Sequence, residues 1–199
     1  MTRDYVRVLA PTLFEYLLTR PSIPFAEWAG ISLRRWQPSS EPVILTGLAG
    51  SLTPGLPVGT VVIPRRVGLT NDQMRECDPI LRLVLATSAS DRGFPVVDGD
   101  LLTGDRLIVG DARARWAQRG FVAADMETGF LPTGIRFATV RVIVDSPDED
   151  LSMKWNTPIP AVLNPTLIRQ AARLARDAPR FTLRAAGIVR GALAGVERV

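Results

Sequence analysis

Two stretches constrain the fold of this chain more than any others: "PVILTGLAG" at Pro42–Gly50 and "IRFATVRVIVD" at Ile135–Asp145. Both are nearly unbroken apolar runs of strand length. A strand that is apolar at every position, instead of at alternate ones, is covered on both faces, as in the parallel sheets of α/β proteins. The second run is rich in Val and Ile and ends in an acid, the pattern of a central strand that delivers a side chain at its carboxyl end. Around these runs the elements alternate. "YVRVLAP" reads as a first strand closed by Pro11, and "TLFEYLL" as a short helix with Thr12 at the N-cap and Glu15 at the third helical position, a capping box. Pro21–Pro42, with four prolines, reads as loops with one short strand. The β-branched run Thr60–Ile63 follows two Pro-Gly turns, "DPILRLVLATSA" has helical spacing, and "GDLLTGDRLIVG" reads as a strand followed by a Gly-Asp turn.

This order predicts one α/β domain, a mixed central β-sheet flanked by helices, over residues 1–150, with a helical C-terminal appendage. Residues 151–165 read as an irregular Pro-rich linker. Residues 166–199 read as two basic amphipathic helices, broken near Asp177–Pro179, that pack on the same domain. Ile168, Ala171, Ala172 and Ala175 are expected to form the packing stripe, with Arg169, Arg173 and Arg176 in water. Contact of this tail with an anionic membrane surface is the less favoured alternative.

Composition narrows the chemistry. The 199 residues contain no histidine and one cysteine, Cys77. That removes disulfide frameworks, the usual zinc sites and every nucleophile activated by histidine, so no metal and no cofactor is expected and acid-base work must rest on carboxylates. The net charge of +4 is uneven: Thr166–Val199 holds seven Arg against Asp177 and Glu197, +5 net, leaving −1 for the rest. With a body that is not basic and no interleaving of aromatic and basic residues, nucleic acid is not an expected partner. No apolar run reaches the roughly 20 residues of a membrane span and the N-terminus lacks the layout of a secretory signal, so a cytoplasmic location is expected.

Three segments carry a resemblance. "VILTGLAGSLTPGLPVGTVVIP" resembles the glycine-rich strand-turn-strand of the purine nucleoside phosphorylase and nucleosidase superfamily, "VAADMETGF" resembles its Met-Glu ribose motif, and "TVRVIVDSPDED" resembles its base-side Asp strand. "LLTGDRLIVG" and Glu15 are weaker matches in the same order. The nearest type is the methylthioadenosine/S-adenosylhomocysteine nucleosidases. The resemblance implies cleavage of the N-glycosidic bond of a purine nucleoside or similar compound by water. Phosphorolysis, with a hopanoid-associated branch as one instance, and a catalytically weak or inactive nucleoside-binding relative stay open beside it.

The resemblance also implies roles. Asp145 would protonate or hydrogen-bond the leaving base, helped by burial in an apolar strand, and Glu15 would orient or deprotonate the water with Arg141 nearby. Glu127 would accept the ribose hydroxyls through charge-assisted bonds, over Met126. Leu107 and Ile108 would line the base pocket, and Ala49 and Gly50 would support it. A homo-oligomer, as in relatives, is implied too. Each role has a structural counterpart: Asp145 as an acid opening a turn with Asp148, Glu149 and Asp150; Asp125 and Glu127 as solvated acids at a helix start; Glu15 as a capping acid; Met126, Leu107 and Ile108 as core. Arg141, inside an apolar run, needs a carboxylate or a ligand. Leu45 and Leu48 replace polar residues that hold phosphate or water in the family, and Val144 stands where Ser or Thr commonly precedes the Asp. The interval before "PVILTG" is about half the family's usual length, which implies that two strands and part of the ribose-side wall are absent.

Overall fold

A computed structural model describes residues 6–149 and 165–196. Ten strands form one mixed sheet, and its centre is the two runs that are apolar throughout. The first, β3 (Val43–Ser51), pairs in parallel with the second, β10 (Phe137–Asp145), from Phe137↔Val43 to Asp145↔Gly50, with a bulge that passes over Val144. Seven of the nine residues of β3 and eight of the nine of β10 are buried, as continuous apolarity requires. The first strand, β1 (Arg7–Ala10), lies parallel to the first half of β3 and to β2 (Glu27–Trp28), the short strand of the Pro-rich interval. A later strand, β9 (Phe121–Asp125), runs antiparallel to the far end of β3 through Gly50↔Ala124 and Ser51↔Ala123.

Beyond β10 lie β4 (Val61–Val62) and β7 (Val96–Val97), and beyond β9 lie β8 (Asp100–Thr103), β5 (Arg66–Leu69) and β6 (Met74–Glu76). The last two form a hairpin turned at Asp72, whose φ of 68° suits an Asp better than most side chains. One face of the sheet packs against α2 (Pro79–Asp91) through Leu81, Leu85 and Ala89, with Val140 and Val142 of β10 opposite. On the other face Leu9, Leu45, Ala49, Leu101 and Ile143 form a second core.

Two expectations for the tail are corrected. In place of two helices, one helix, α4 (Pro165–Val196), runs through Pro179. Proline lacks the N–H that would bond the Ala175 carbonyl and costs about 3 kcal/mol in a helix interior. Burial in the next four turns offsets that cost: Phe181, Thr182, Ala185, Ala186, Ile188, Val189 and Ala192 recur at helical spacing and are buried, several of them in the α2 core. The expected packing stripe is not used. Ile168 is 49% exposed, Ala172 and Ala175 are exposed, and Ala171 is half-buried, because the helix reaches the core only from Phe181 onward. The linker expected at 151–165 lies, but for Pro165, outside the described residues. Among the described residues no helix is long and apolar enough to cross a membrane.

Candidate active site

Four charged side chains meet where β3 pairs with β10. Arg141 stands opposite Gly47 in the register and is fully buried. Its Nη2 lies 2.6 Å from Asp125 Oδ2 and 3.6 Å from Glu127 Oε2, and it donates to Thr128 Oγ1 at 2.9 Å. Asp125 closes β9 and is saturated: it accepts from Thr103 Oγ1 at 2.5 Å, from the Thr128 N–H at 3.1 Å and from the Thr128 hydroxyl. The alternative reading of Asp125 and Glu127 as solvated acids is therefore overturned, since both are buried. The burial of Asp125 is tolerated because a guanidinium and a set of donors satisfy it.

Glu15 reaches the same place from α1 (Leu13–Thr19). The capping box is present: the Glu15 N–H donates to Thr12 Oγ1 while Glu15 Oε2 accepts from the Thr12 N–H at 3.0 Å. The second oxygen, Oε1, points inward and accepts from the Leu48 N–H at 2.9 Å. Glu15 is thus a helix cap and a member of the buried cluster together. The Leu48 side chain donates nothing, but its backbone does. Gly47 makes this approach possible: a Cβ there would stand 2.5 Å from Glu15 Oε1 and 2.6 Å from Arg141 Nη1.

The charges in this cluster are unequal. Burial pushes the Glu127 carboxyl up to about 8, with Asp125 and Glu15 adding to the effect and Arg141 opposing it. The 3.6 Å contact to Arg141 is beyond hydrogen-bond distance, and Asp125 already balances that guanidinium, so Glu127 is held as a neutral acid near pH 7. Met126 is half-buried, and its N–H faces Glu127 Oε2 at 3.3 Å.

Asp145 belongs to a second cluster, about 10 Å further along β3, where it pairs with Gly50. It is 1% exposed, and a Cβ on Gly50 would stand 2.8 Å from its Oδ1. Its Oδ2 accepts from Nη2 of Arg113, a residue of α3 (Asp111–Gln118) that also donates to the Ser51 carbonyl at 2.6 Å. Arg113 is not among the residues that the sequence motifs single out. A signal was present: Arg113, Trp116 and Ala117 lie at helical spacing, and the last two pack on the core of Leu52, Leu102 and Phe121. The apolar strand buries Asp145 as expected, and its neighbour is a cation. Of the other expected residues, Ala49 is core, Ile108 packs beside Leu52 and Phe121, and Leu107 is half-buried.

A family model described as the phosphorylase superfamily matches residues 39–178. The chain belongs to the phosphorylase superfamily. That match contains both central strands and every residue of the two clusters except Glu15. Solved structures with this superfamily fold resemble the chain over nearly its whole length. A Helicobacter pylori 5′-methylthioadenosine/S-adenosylhomocysteine nucleosidase mutant with 5′-methylthioadenosine in its active site superposes with TM-score 0.72 at 11% identity, over 98% of this chain and 100% of that one. The Neisseria meningitidis 5′-methylthioadenosine/S-adenosylhomocysteine nucleosidase, in complex with methylthio-immucillin-A, gives 0.71 at 17% identity, over 97% and 100%. A futalosine hydrolase mutant of H. pylori gives 0.72 at 10%, over 96% and 98%.

Proposed function

We propose that this chain hydrolyses the N-glycosidic bond of a purine nucleoside or a close analogue. The observation that carries the reading is the Arg141 Nη1 donor. It is buried without a hydrogen-bond partner among the described residues, beside the Gly47 backbone and the inward oxygen of Glu15. A buried donor is costly to leave unmet. A donor and a carboxylate oxygen facing one small space suit a water molecule: Arg141 orients it and Glu15 takes its proton as it attacks C1′. The leucine side chains at 45 and 48 offer nothing to a phosphate, which favours water over phosphorolysis. Glu127, as a neutral acid, both donates to and accepts from the ribose hydroxyls. The base then lies toward Asp145, at a separation along β3 that a base-plus-ribose unit spans. Membership of the superfamily and the likeness to nucleosidases support the same reading. The exposed apolar face of Leu13, Phe14 and Leu17 on α1 suits a homo-oligomer.

Incubation of the purified protein with methylthioadenosine, adenosine and inosine, with and without phosphate, tests this. Free base should appear at the same rate in both conditions, and Asp145→Asn should abolish it. Release that requires phosphate would replace hydrolysis by phosphorolysis, and no release from any of the three would remove the reading.

A further inference from the structure

We infer that the first half of α4, from Pro165 to Leu183, is a docking surface for an anionic lipid membrane, on which the helix lies with a row of Arg and an apolar strip against the headgroups. The sequence alone favours packing over such contact for this segment. The structure reverses that order, because the stripe expected in the core stays out of it. Ile168, Ala172, Ala175, Pro179 and Leu183 recur four, three, four and four residues apart, which puts them on one face of the helix. All are exposed except Pro179, which is half-buried. Arg169, Arg173, Arg176 and Arg180 repeat the same rhythm one residue later, so they form a second row about 100° round the helix and parallel to the first. Arg169, Arg176 and Arg180 are exposed and Arg173 is half-buried. The two rows run side by side for about 22 Å.

Charge and layout together select a lipid surface as the occupant. The segment carries four Arg against one acid, Asp177, whose carboxylate accepts from Arg176 at 2.9 and 3.0 Å, so a net +3 remains. A bilayer interface offers anionic headgroups and an apolar layer in adjacent planes, which adjoining Arg and apolar rows match: the guanidinium groups meet phosphates while Ile168 and Leu183 enter the acyl boundary. Nucleic acid phosphates would satisfy the Arg row but leave the apolar strip in water, and residues 165–180 contain no aromatic side chain on which a base could stack. Residues 1–165 carry one net negative charge, so the field of an anionic surface turns the tail, and not the body, toward it. From Phe181 onward the helix is held in the α2 core, and the two rows are therefore presented already folded, without the ordering cost that a disordered basic tail meets on binding. Among the described residues no helix is long and apolar enough to cross a membrane, so this one lies on the surface. None of this depends on the hydrolytic reading.

Co-sedimentation of the purified full chain with lipid vesicles tests this and needs no turnover. At about 50 mM salt the protein should pellet with phosphatidylcholine vesicles that contain about one-third phosphatidylglycerol, and should stay in solution with phosphatidylcholine alone. Raising the salt to about 500 mM should weaken binding by at least about tenfold. Arg169→Gln/Arg180→Gln removes two exposed cations and should weaken binding about 25-fold, about fivefold for each charge. Ile168→Ser/Leu183→Ser should weaken it by at least about fivefold at both salt concentrations, since the apolar part is not screened. All four side chains are exposed, so circular dichroism and thermal midpoints should match wild type in both variants. No pelleting with anionic vesicles at low salt, equal pelleting with neutral ones, or undiminished pelleting of the Arg variant would overturn the inference. Retention on duplex DNA without pelleting on vesicles would overturn it too and give the Arg row to nucleic acid. A protein that releases base but binds no vesicle would lose this inference and keep the hydrolytic reading.

Discussion

Asp125, and not Glu127, is the carboxylate that neutralises Arg141: the guanidinium lies 2.6 Å from the first and 3.6 Å from the second. The two acids of the "ADMET" stretch thereby differ: one holds the cation in the core, and the other, pushed up to about 8 by burial, is the one that the proposed function assigns to a ligand. Asp125→Asn should cost about 3–5 kcal/mol, because it strands a buried guanidinium. Glu127→Gln should cost little or nothing near pH 7, since Gln resembles the neutral acid already there. Urea midpoints for the two variants should separate them clearly, and a larger loss for Glu127→Gln would reverse the division.

The Glu127 carboxyl also makes stability depend on pH. Its folded value is raised to about 8 from an ordinary 4.5, so the folded state holds a proton that the unfolded state releases. The stability contributed by the protonated form is complete below pH 4.5, declines between 4.5 and 8, and is gone above 8. Thermal midpoints of wild type should fall across that window relative to Glu127→Gln. Parallel curves for the two proteins would show that Glu127 titrates normally.

The proposed function gives Glu15 a second job beside its cap, and one substitution can separate the two. Glu15→Gln keeps a residue that capping boxes accept at this position but removes the base. Stability should change by less than about 1 kcal/mol while base release falls by about 100-fold or more. Unaltered turnover in a folded variant would reduce Glu15 to its cap.

Gly47→Ala tests the space between Glu15 and Arg141 directly. The added methyl would stand 2.5 Å from Glu15 Oε1 and 2.6 Å from Arg141 Nη1. Both side chains are buried, so in the proposed function the methyl takes the place of the water and hydrolysis should fall by at least about tenfold. Binding of the free base, measured by calorimetry, should stay within a few-fold of wild type; equal damage to both would mean general collapse.

Cys77 should be inert. It is buried at the edge of the second core, and burial pushes its thiol up to about 12, so almost no thiolate exists near neutrality. The folded protein should not react with Ellman's reagent at pH 8, and should release one equivalent of thiol when unfolded in guanidinium. Rapid reaction of the native protein would contradict the packing around it.

Much of this architecture was legible where the cause was local. Continuous apolarity declared β3 and β10, and the Thr12–Glu15 spacing declared a cap that the structure contains to the atom. The hairpin of β5 and β6 was harder to read because its strands are short, β6 lies at the sheet edge, and Arg66, Met74 and Glu76 are exposed. Its one signal was the Asn71-Asp72 turn. Pro179 misled because the rule for proline is local, whereas the residues that hold the helix together around it are chosen by packing against α2. Arg113 was missed for the same kind of reason: its spacing with Trp116 and Ala117 marks only a core-facing position, and its partner stands 32 residues away. The assignment of Arg141 to Asp125 over Glu127 turns on a difference of about an ångström, which no spacing encodes.

The position of β3 among three neighbours has a consequence for how the protein is made. β3 meets β1 early in the chain, but its other partners are encoded much later; the Thr139–Leu45 contact that ties β10 to it joins residues 94 apart. A ribosome therefore releases β3 long before anything can cover its second edge. Until Asp145 has emerged, the growing chain carries an unpaired apolar strand, the condition that recruits chaperones and favours premature association. The same delay keeps Glu15 apart from Arg141, so a truncated product ending before β10 would have the cap of α1 and no place for a water. Synthesis that stalls anywhere in the first two-thirds of the message should yield aggregates and not a partially active enzyme.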